Sequence, residues 1–254
     1  LGEEQSFESD LHGITGEEQM ETSAHGRAVR KLASRPATPG KSVMISLDIK
    51  LQKMVEDLFG DRRGALVAID PRNGEVLALV SKPTFDPNLF VEGIDVENWT
   101  ALNESIDKPL LNRALRGLYP PGSTYKPFMA LAALELNKRS PSMIVSDPGY
   151  YNFGGRTFRS HEGGLGALDM HRAIQFSSNT YFYSLAHKMG IDRLHDYMSR
   201  FGLGQRVSLD MFEETAGLMP SRDWKRARYR QPWYPGETLI LGIGQGYMQT
   251  TPLQ

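Results

Sequence analysis

Tyr119-Pro120-Pro121-Gly122-Ser123-Thr124-Tyr125-Lys126-Pro127 is the stretch from which the chain is best read. A turn rich in Pro and Gly runs straight into an apolar segment, Phe128-Met129-Ala130-Leu131-Ala132-Ala133-Leu134. Pro127 has no backbone N–H and fits only a first helical turn, so a helix is expected to start close to Ser123. Serine is favoured at such a junction because its oxygen can accept from a free backbone N–H. Lys126 is three residues further on, on the same helix face as Ser123. Apolar residues run nearly all round the helix, which predicts its burial.

A serine hydroxyl becomes an effective nucleophile when a neighbouring base takes its proton. Lys126 fits that role if its amine is neutral. At pH 7 an ordinary lysine is neutral about four times in ten thousand, a deficit of about 4.6 kcal/mol. Burial, a nearby cation and the positive end of a helix all push in the needed direction. Taken alone, the same residues read more simply as a helix cap followed by a lysine.

The 254 residues are 40% hydrophobic and 23% charged, with a net charge of −1. That length and balance suit one large globular domain, or one domain plus an accessory piece, and give no electrostatic case for nucleic acid. The absence of cysteine excludes disulfides and cysteine–zinc sites, and it fits an oxidising compartment. No apolar run approaches the roughly 20 residues of a membrane span. The chain reads as a piece of a longer protein, opening without Met and ending where a helix is expected to start at Thr250-Thr251-Pro252-Leu253-Gln254.

In chain order, residues 1–40 are polar, with a strand expected around Gly26-Arg27-Ala28-Val29-Arg30 and a domain boundary at Arg35-Pro36-Ala37-Thr38-Pro39-Gly40. A strand is expected at 42–46. Asp48 then caps a helix striped with Leu51, Met54, Val55, Leu58 and Phe59 and stopped by Gly60. Strands at 64–69 and 75–80 flank the hairpin turn Asp70-Pro71-Arg72-Asn73-Gly74. Residues 83–121 show little regular pattern, and 154–166 read as a Gly-rich loop. Helices are expected from Asp169 towards Phe176, from Thr180 to Met189, and from an Asp192 cap to Phe201. The aromatic and basic stretch from Ser221 to Gly236 reads as a packed flap, with a substrate-contacting rim as the alternative.

Ser177-Ser178-Asn179 stands between two of these helices. Polar side chains crowded between apolar helices need partners, and capping of the second helix supplies them. Taken alone, capping is the favoured reading, but a second role beside Ser123 is chemically sensible: Ser177 can relay a proton between Lys126 and a leaving amine, and Asn179 can orient Lys126 or a substrate amide.

Ser-x-x-Lys followed by a Ser-x-Asn triplet is an ordered motif pair of β-lactamases and penicillin-binding proteins. With it, Leu47-Asp48-Ile49-Lys50-Leu51-Gln52, Asp147-Pro148-Gly149, Gly236-Glu237-Thr238, Ile243-Gly244-Gln245-Gly246 and Thr251-Pro252-Leu253-Gln254 resemble class B penicillin-binding proteins over nearly the whole chain. Phe85-Asp86-Pro87-Asn88-Leu89-Phe90-Val91 and Met219-Pro220-Ser221-Arg222-Asp223-Trp224-Lys225 are similar to the elongation-type members of Gram-negative rods. The resemblance implies an α+β penicillin-binding, serine-transpeptidase-like fold, an antiparallel sheet with a helical subdomain. It also implies a division into residues 1–40, the end of an N-terminal pedestal or dimerisation-like domain, and residues 41–254, a truncated transpeptidase domain. The implied activity is D,D-transpeptidation of peptidoglycan stem peptides ending in D-Ala-D-Ala, with Ser123 as nucleophile, Lys126 as base, and Ser177 and Asn179 as the second motif. β-Lactam antibiotics would acylate Ser123. The implied partners are a membrane-embedded glycosyltransferase and other elongation proteins, at the periplasmic face of the inner membrane. The non-enzymatic alternative is a scaffold fragment of that machinery, and a serine β-lactamase is the other enzymatic one.

The family's third motif, Lys-Thr-Gly, does not occur in these residues, nor does Lys-Ser-Gly. Some relatives are understood to bind zinc beside the Asp-Pro-Gly turn. This chain offers Asp147, His161 and Glu162 there without cysteine, so no metal and no cofactor is expected.

Overall fold

The computed structural model describes residues 2–161 and 163–254. Two single helical turns, α1 (Glu3–Ser6) and α2 (Glu8–Leu11), precede an antiparallel hairpin of β1 (Glu17–Thr22) and β2 (Ala28–Arg35). The expected strand is therefore present, but it starts at Ala28 and runs on to Arg35. Every residue of both strands is exposed. The chain then folds back on itself, with Ile14 and Thr38 exchanging main-chain hydrogen bonds of 2.8 and 2.9 Å.

Asp48 begins α3 (Ile49–Phe59) as expected, its carboxylate accepting from the N–H groups of Lys50 and Leu51. Gly60, at φ +53, ends it. The helix packs on an antiparallel hairpin of β3 (Gly64–Ile69) and β4 (Val76–Lys82), joined by the expected turn. Val55, Ala78 and Val80 are buried here, whereas Met54 and Leu58 of the predicted stripe stay exposed. The strand expected at 42–46 does not form. That segment touches β4 through the Ser46 hydroxyl on the Val76 carbonyl, and Asp48 N–H bonds to the Leu77 carbonyl. Single bonds of this kind build no ladder, and Met44 is 97% exposed.

Residues 83–121 hold more structure than their pattern suggests. Asp95 caps α4 (Val96–Asn103), a helix with no buried residue and hence no apolar stripe to read. Asn112 caps α5 (Arg113–Arg116), which packs on β3 and β4. Buried Arg113 donates to the carbonyls of Lys108 and Asp107.

The core is helical. It gathers around α6 (Lys126–Glu135), α8 (Asn179–Met189), α9 (Ile191–Ser199) and α11 (Pro235–Leu241). Buried residues on α8 run from Asn179 through Phe182 and Leu185 to Met189, which makes it the central element. On α6 one face is buried, through Met129, Ala130, Ala132 and Ala133. Phe128, Leu131 and Leu134 remain partly exposed, so burial all round is not observed. Between α6 and α8 lie two short antiparallel pairs, β5 (Val145–Asp147) with β8 (Gly166–Leu168) and, inserted between them, β6 (Tyr150–Phe153) with β7 (Arg156–Arg159). The first part of the expected Gly-rich loop is thus a hairpin turning at Gly154 and Gly155, both at positive φ.

Asp169 caps α7 (Met170–Gln175) as expected. Asp192 does not cap α9. Gly190 stops α8 and starts α9 at once, leaving Asp192 to pair with Arg222 at 2.8 Å. Ser221 caps α10 (Arg222–Tyr229). No helix starts at Thr250: its N–H and carbonyl exchange 2.9 Å bonds with Tyr119.

The C-terminal stretch in this way braces the serine turn. Gly122 N–H donates to the Gly244 carbonyl at 2.9 Å, and a Cβ on Gly244 would sit 2.3 Å from the Gly122 oxygen. Gly244 also has φ +69. Gly244→Ala is expected to lower stability by about 1–3 kcal/mol or more through strain, read as a fall in thermal midpoint. An unchanged midpoint would mean that this contact is slack.

Candidate active site

Ser123 is carried by a 3₁₀ turn, Gly122–Tyr125, that feeds directly into α6. Lys126 N–H donates to the Ser123 carbonyl, closing an i to i+3 ring. Side chains three apart eclipse in such a turn, so Ser123 and Lys126 share one side of it. Ser123 is exposed, while Lys126 is 1% exposed. Ser123 does not act as a cap: among the described residues no side chain caps this turn or α6. Its N–H lies at the start of the turn, where backbone donors have no helical acceptor.

Ser177 and Asn179 owe their placement to how α7 ends and α8 begins. Ser177 N–H bonds to the Ile174 carbonyl and Ser178 N–H to the Ala173 carbonyl. These are the two bonds of a Schellman motif, whose left-handed residue is usually glycine. Here that residue is Ser177, at φ +55. A left-handed conformation costs an L-residue about 1–2 kcal/mol, so a side chain is retained where glycine would be easier. Ser178 caps α8, its hydroxyl accepting from Tyr181 N–H at 3.0 Å. The capping function thus falls to Ser178 alone, and its two neighbours face Lys126.

The Lys126 amine donates to Asn179 Oδ1 at 2.7 Å and to the Ser177 carbonyl at 2.5 Å, and lies 2.9 Å from Ser177 Oγ. The first two atoms only accept. The hydroxyl can accept from an ammonium or donate to the lone pair of a neutral amine. Among the described residues no hydrogen bond joins the amine to Ser123 Oγ. In ligand-free sites such catalytic contacts are often long and tighten when substrate binds. The structure therefore brings Ser177 and Asn179 onto the Lys126 amine, and Lys126 follows Ser123 by three residues on the same side of the turn.

Sequence reasoning missed the support beneath these contacts. Asp147, also 1% exposed, accepts from the Ser178 hydroxyl at 2.5 Å and from Gly149 N–H at 2.7 Å. Gly149 is obligatory there: it has φ +89, and a Cβ would meet Gly163 backbone at 2.6 Å. The signal was present in the Asp-Pro-Gly turn and the middle serine of Ser177-Ser178-Asn179, but nothing in the sequence joins them. Tyr125 is buried within the same turn, and desolvation raises its phenol pKa well above the usual range, so it stays neutral. Among the described residues, no group of three His, Cys, Asp or Glu could hold a metal ion. Glu162 lies outside the described residues.

Two family models match. One, the penicillin-binding protein transpeptidase domain, covers residues 64–254, and the other, the penicillin-binding protein dimerisation domain, covers residues 1–45. The chain belongs to the penicillin-binding protein transpeptidase family. It is 44% identical, over its full length, to the peptidoglycan D,D-transpeptidases MrdA of Escherichia coli K12 and Haemophilus influenzae, covering 41% and 40% of those proteins. Among solved structures it resembles Pseudomonas aeruginosa PBP2 in complex with WCK 5153, at 52% identity and a TM-score of 0.86, matching 97% of this chain and 51% of that one. It also resembles PBP2 of Helicobacter pylori in complex with MreC, at 34% identity and a TM-score of 0.87, matching 98% and 47%. The chain spans about two-fifths of the length of these curated relatives.

The two serines of the bend are expected to respond in opposite ways to truncation. Ser178→Ala leaves the buried Asp147 carboxylate one donor short and uncaps α8, a loss of about 1–3 kcal/mol. Ser177→Gly relieves left-handed strain and keeps the thermal midpoint level or raises it. Equal destabilisation by both would contradict this division of roles.

Proposed function

We propose that the protein is a peptidoglycan D,D-transpeptidase of cell-wall elongation, working through an acyl-enzyme on Ser123. The observation that carries this reading is the buried Lys126 amine, held by Ser177 and Asn179 beneath a turn that leaves Ser123 exposed. Ser123 Oγ attacks the carbonyl between the two D-Ala residues of a stem peptide while Lys126 takes its proton. The Ser123 N–H supplies one donor to the oxyanion. Ser177 passes the proton to the departing D-Ala amine. The amine of a second stem peptide then attacks the ester, forming the cross-link and restoring the Ser123 hydroxyl. Asn179 holds the Lys126 amine in register and reaches the substrate amide. A β-lactam enters the same first step and leaves Ser123 esterified.

Likeness to MrdA proteins supports the reaction class, and likeness to a PBP2–MreC complex and to a chain of a peptidoglycan synthase complex that coordinates polymerization and crosslinking supports partners in the elongation machinery, among which we place a membrane-embedded glycosyltransferase. Placement at the periplasmic face of the inner membrane accords with that class. Among the described residues no helix is long and apolar enough to cross a membrane. A division into a pedestal, residues 1–40, and a transpeptidase domain, residues 41–254, is supported by the separate reach of the two family models.

The test is cross-linking of stem pentapeptides by the full-length protein, with released D-Ala measured. Ser123→Ala is expected to abolish release. Removing the base in Lys126→Met is expected to cost about 10²–10⁴-fold. Ser177→Gly is expected to lose rate without losing stability. D-Ala release that survives Ser123→Ala would refute the assignment.

A further inference from the structure

Lys225 is as deeply buried as Lys126, yet it lies on α10, outside the site described above. Its amine pairs with Glu237 in the first turn of α11. It also lies 4.3 Å from the Tyr234 ring centroid and 5.7 Å from that of Tyr247. The Glu237 carboxylate is committed on both oxygens, to Tyr234 N–H at 2.8 Å and to the Tyr247 hydroxyl at 3.2 Å. Trp233 closes the enclosure by donating to Thr238 at 2.8 Å. The aromatic stretch read from the sequence as a packed flap is thus organised around an ion pair between buried Lys225 and half-buried Glu237.

An ion pair with one buried partner is weak evidence for stability, because an apolar pair of similar volume is often as good or better. What it fixes is geometry, and the element it fixes here is α11. At its far end α11 packs on the central helix so closely that a Cβ on Gly242 would lie 2.4 Å from the Ala186 Cβ and 3.0 Å from the Phe182 carbonyl. Two residues later the Gly244 carbonyl receives the Gly122 N–H. The C-terminal end of α11 therefore touches both the helix that begins at Asn179 and the turn that presents Ser123.

We propose that Lys225 and Glu237 are positioning residues for acyl transfer: by locking the start of α11 they set where its end holds the Ser123 turn relative to Lys126, Ser177 and Asn179. This rests on the acyl-transfer reading. Misplacement of reacting groups by about 1 Å can cost about a hundredfold in rate even when the change is remote. The effect belongs in the chemical step, not in the amount of folded protein or in the first encounter with ligand.

The experiment is stopped-flow acylation of the full-length protein by a chromogenic cephalosporin over a range of concentrations. It separates the dissociation constant from the acylation rate constant, and the final amplitude counts competent protein. Lys225→Met and the double variant Lys225→Met/Glu237→Gln are compared with wild type. The double variant leaves no unpaired carboxylate, so it provides the test if the single variant fails to fold. The expected result is an acylation rate constant lower by about tenfold or more, a dissociation constant little changed, and full final amplitude in the folded fraction. A wild-type rate constant in the folded fraction of the double variant, with only the amplitude reduced, overturns the proposal. A wild-type protein that takes no acyl group overturns the acyl-transfer reading along with it.

Discussion

The hydrogen bonds from the Lys126 amine to Asn179 Oδ1 and the Ser177 carbonyl hold together two parts of the chain more than 50 residues apart in sequence. One is a 3₁₀ turn feeding a helix, and the other is the bend between two helices. An amine taken this far out of water is tolerated only where oxygens replace its hydration. The site supplies them from a carbonyl, an amide and a hydroxyl. Such a set can hold the lysine through a change of protonation, because the Ser177 hydroxyl can reverse its role from acceptor to donor.

The surrounding structure reads as a set of braces for that bridge. Asp147, delivered by β5, bonds the Ser178 hydroxyl and fixes the bend from below. Ser178 starts α8 and so ties the bend to the most buried helix of the core. Gly244 and Thr250 in turn bond the main chain at Gly122 and Tyr119. Ser177 is left-handed at a position that usually takes glycine, and backbone strain of this kind tends to collect at functional sites.

Much of the site was legible because its determinants are local. Pro127 limits where a helix can start, Asp48 and Asp169 cap as their positions suggest, and Gly190 stops α8 where a glycine should. Elements set by tertiary contact were not legible. The segment at 42–46 has strand composition but only isolated bonds to β4, and α4 has no buried face to give a period. Asp192 has cap chemistry, yet Gly190 begins the helix earlier and Arg222 takes the carboxylate. The link from Asp147 to Ser178 crosses 31 residues of sequence, so no pattern reveals it.

The central claim is that Lys126 prepares Ser123, and no other serine, for acylation. Intact-mass analysis of the full-length protein after exposure to a penicillin, followed by peptide mapping, tests it most directly. The account predicts one stable adduct, located on Ser123, absent from Ser123→Ala and formed far more slowly in Lys126→Met. An adduct that maps to Ser177 or Ser178, or forms at the wild-type rate without Lys126, would contradict it.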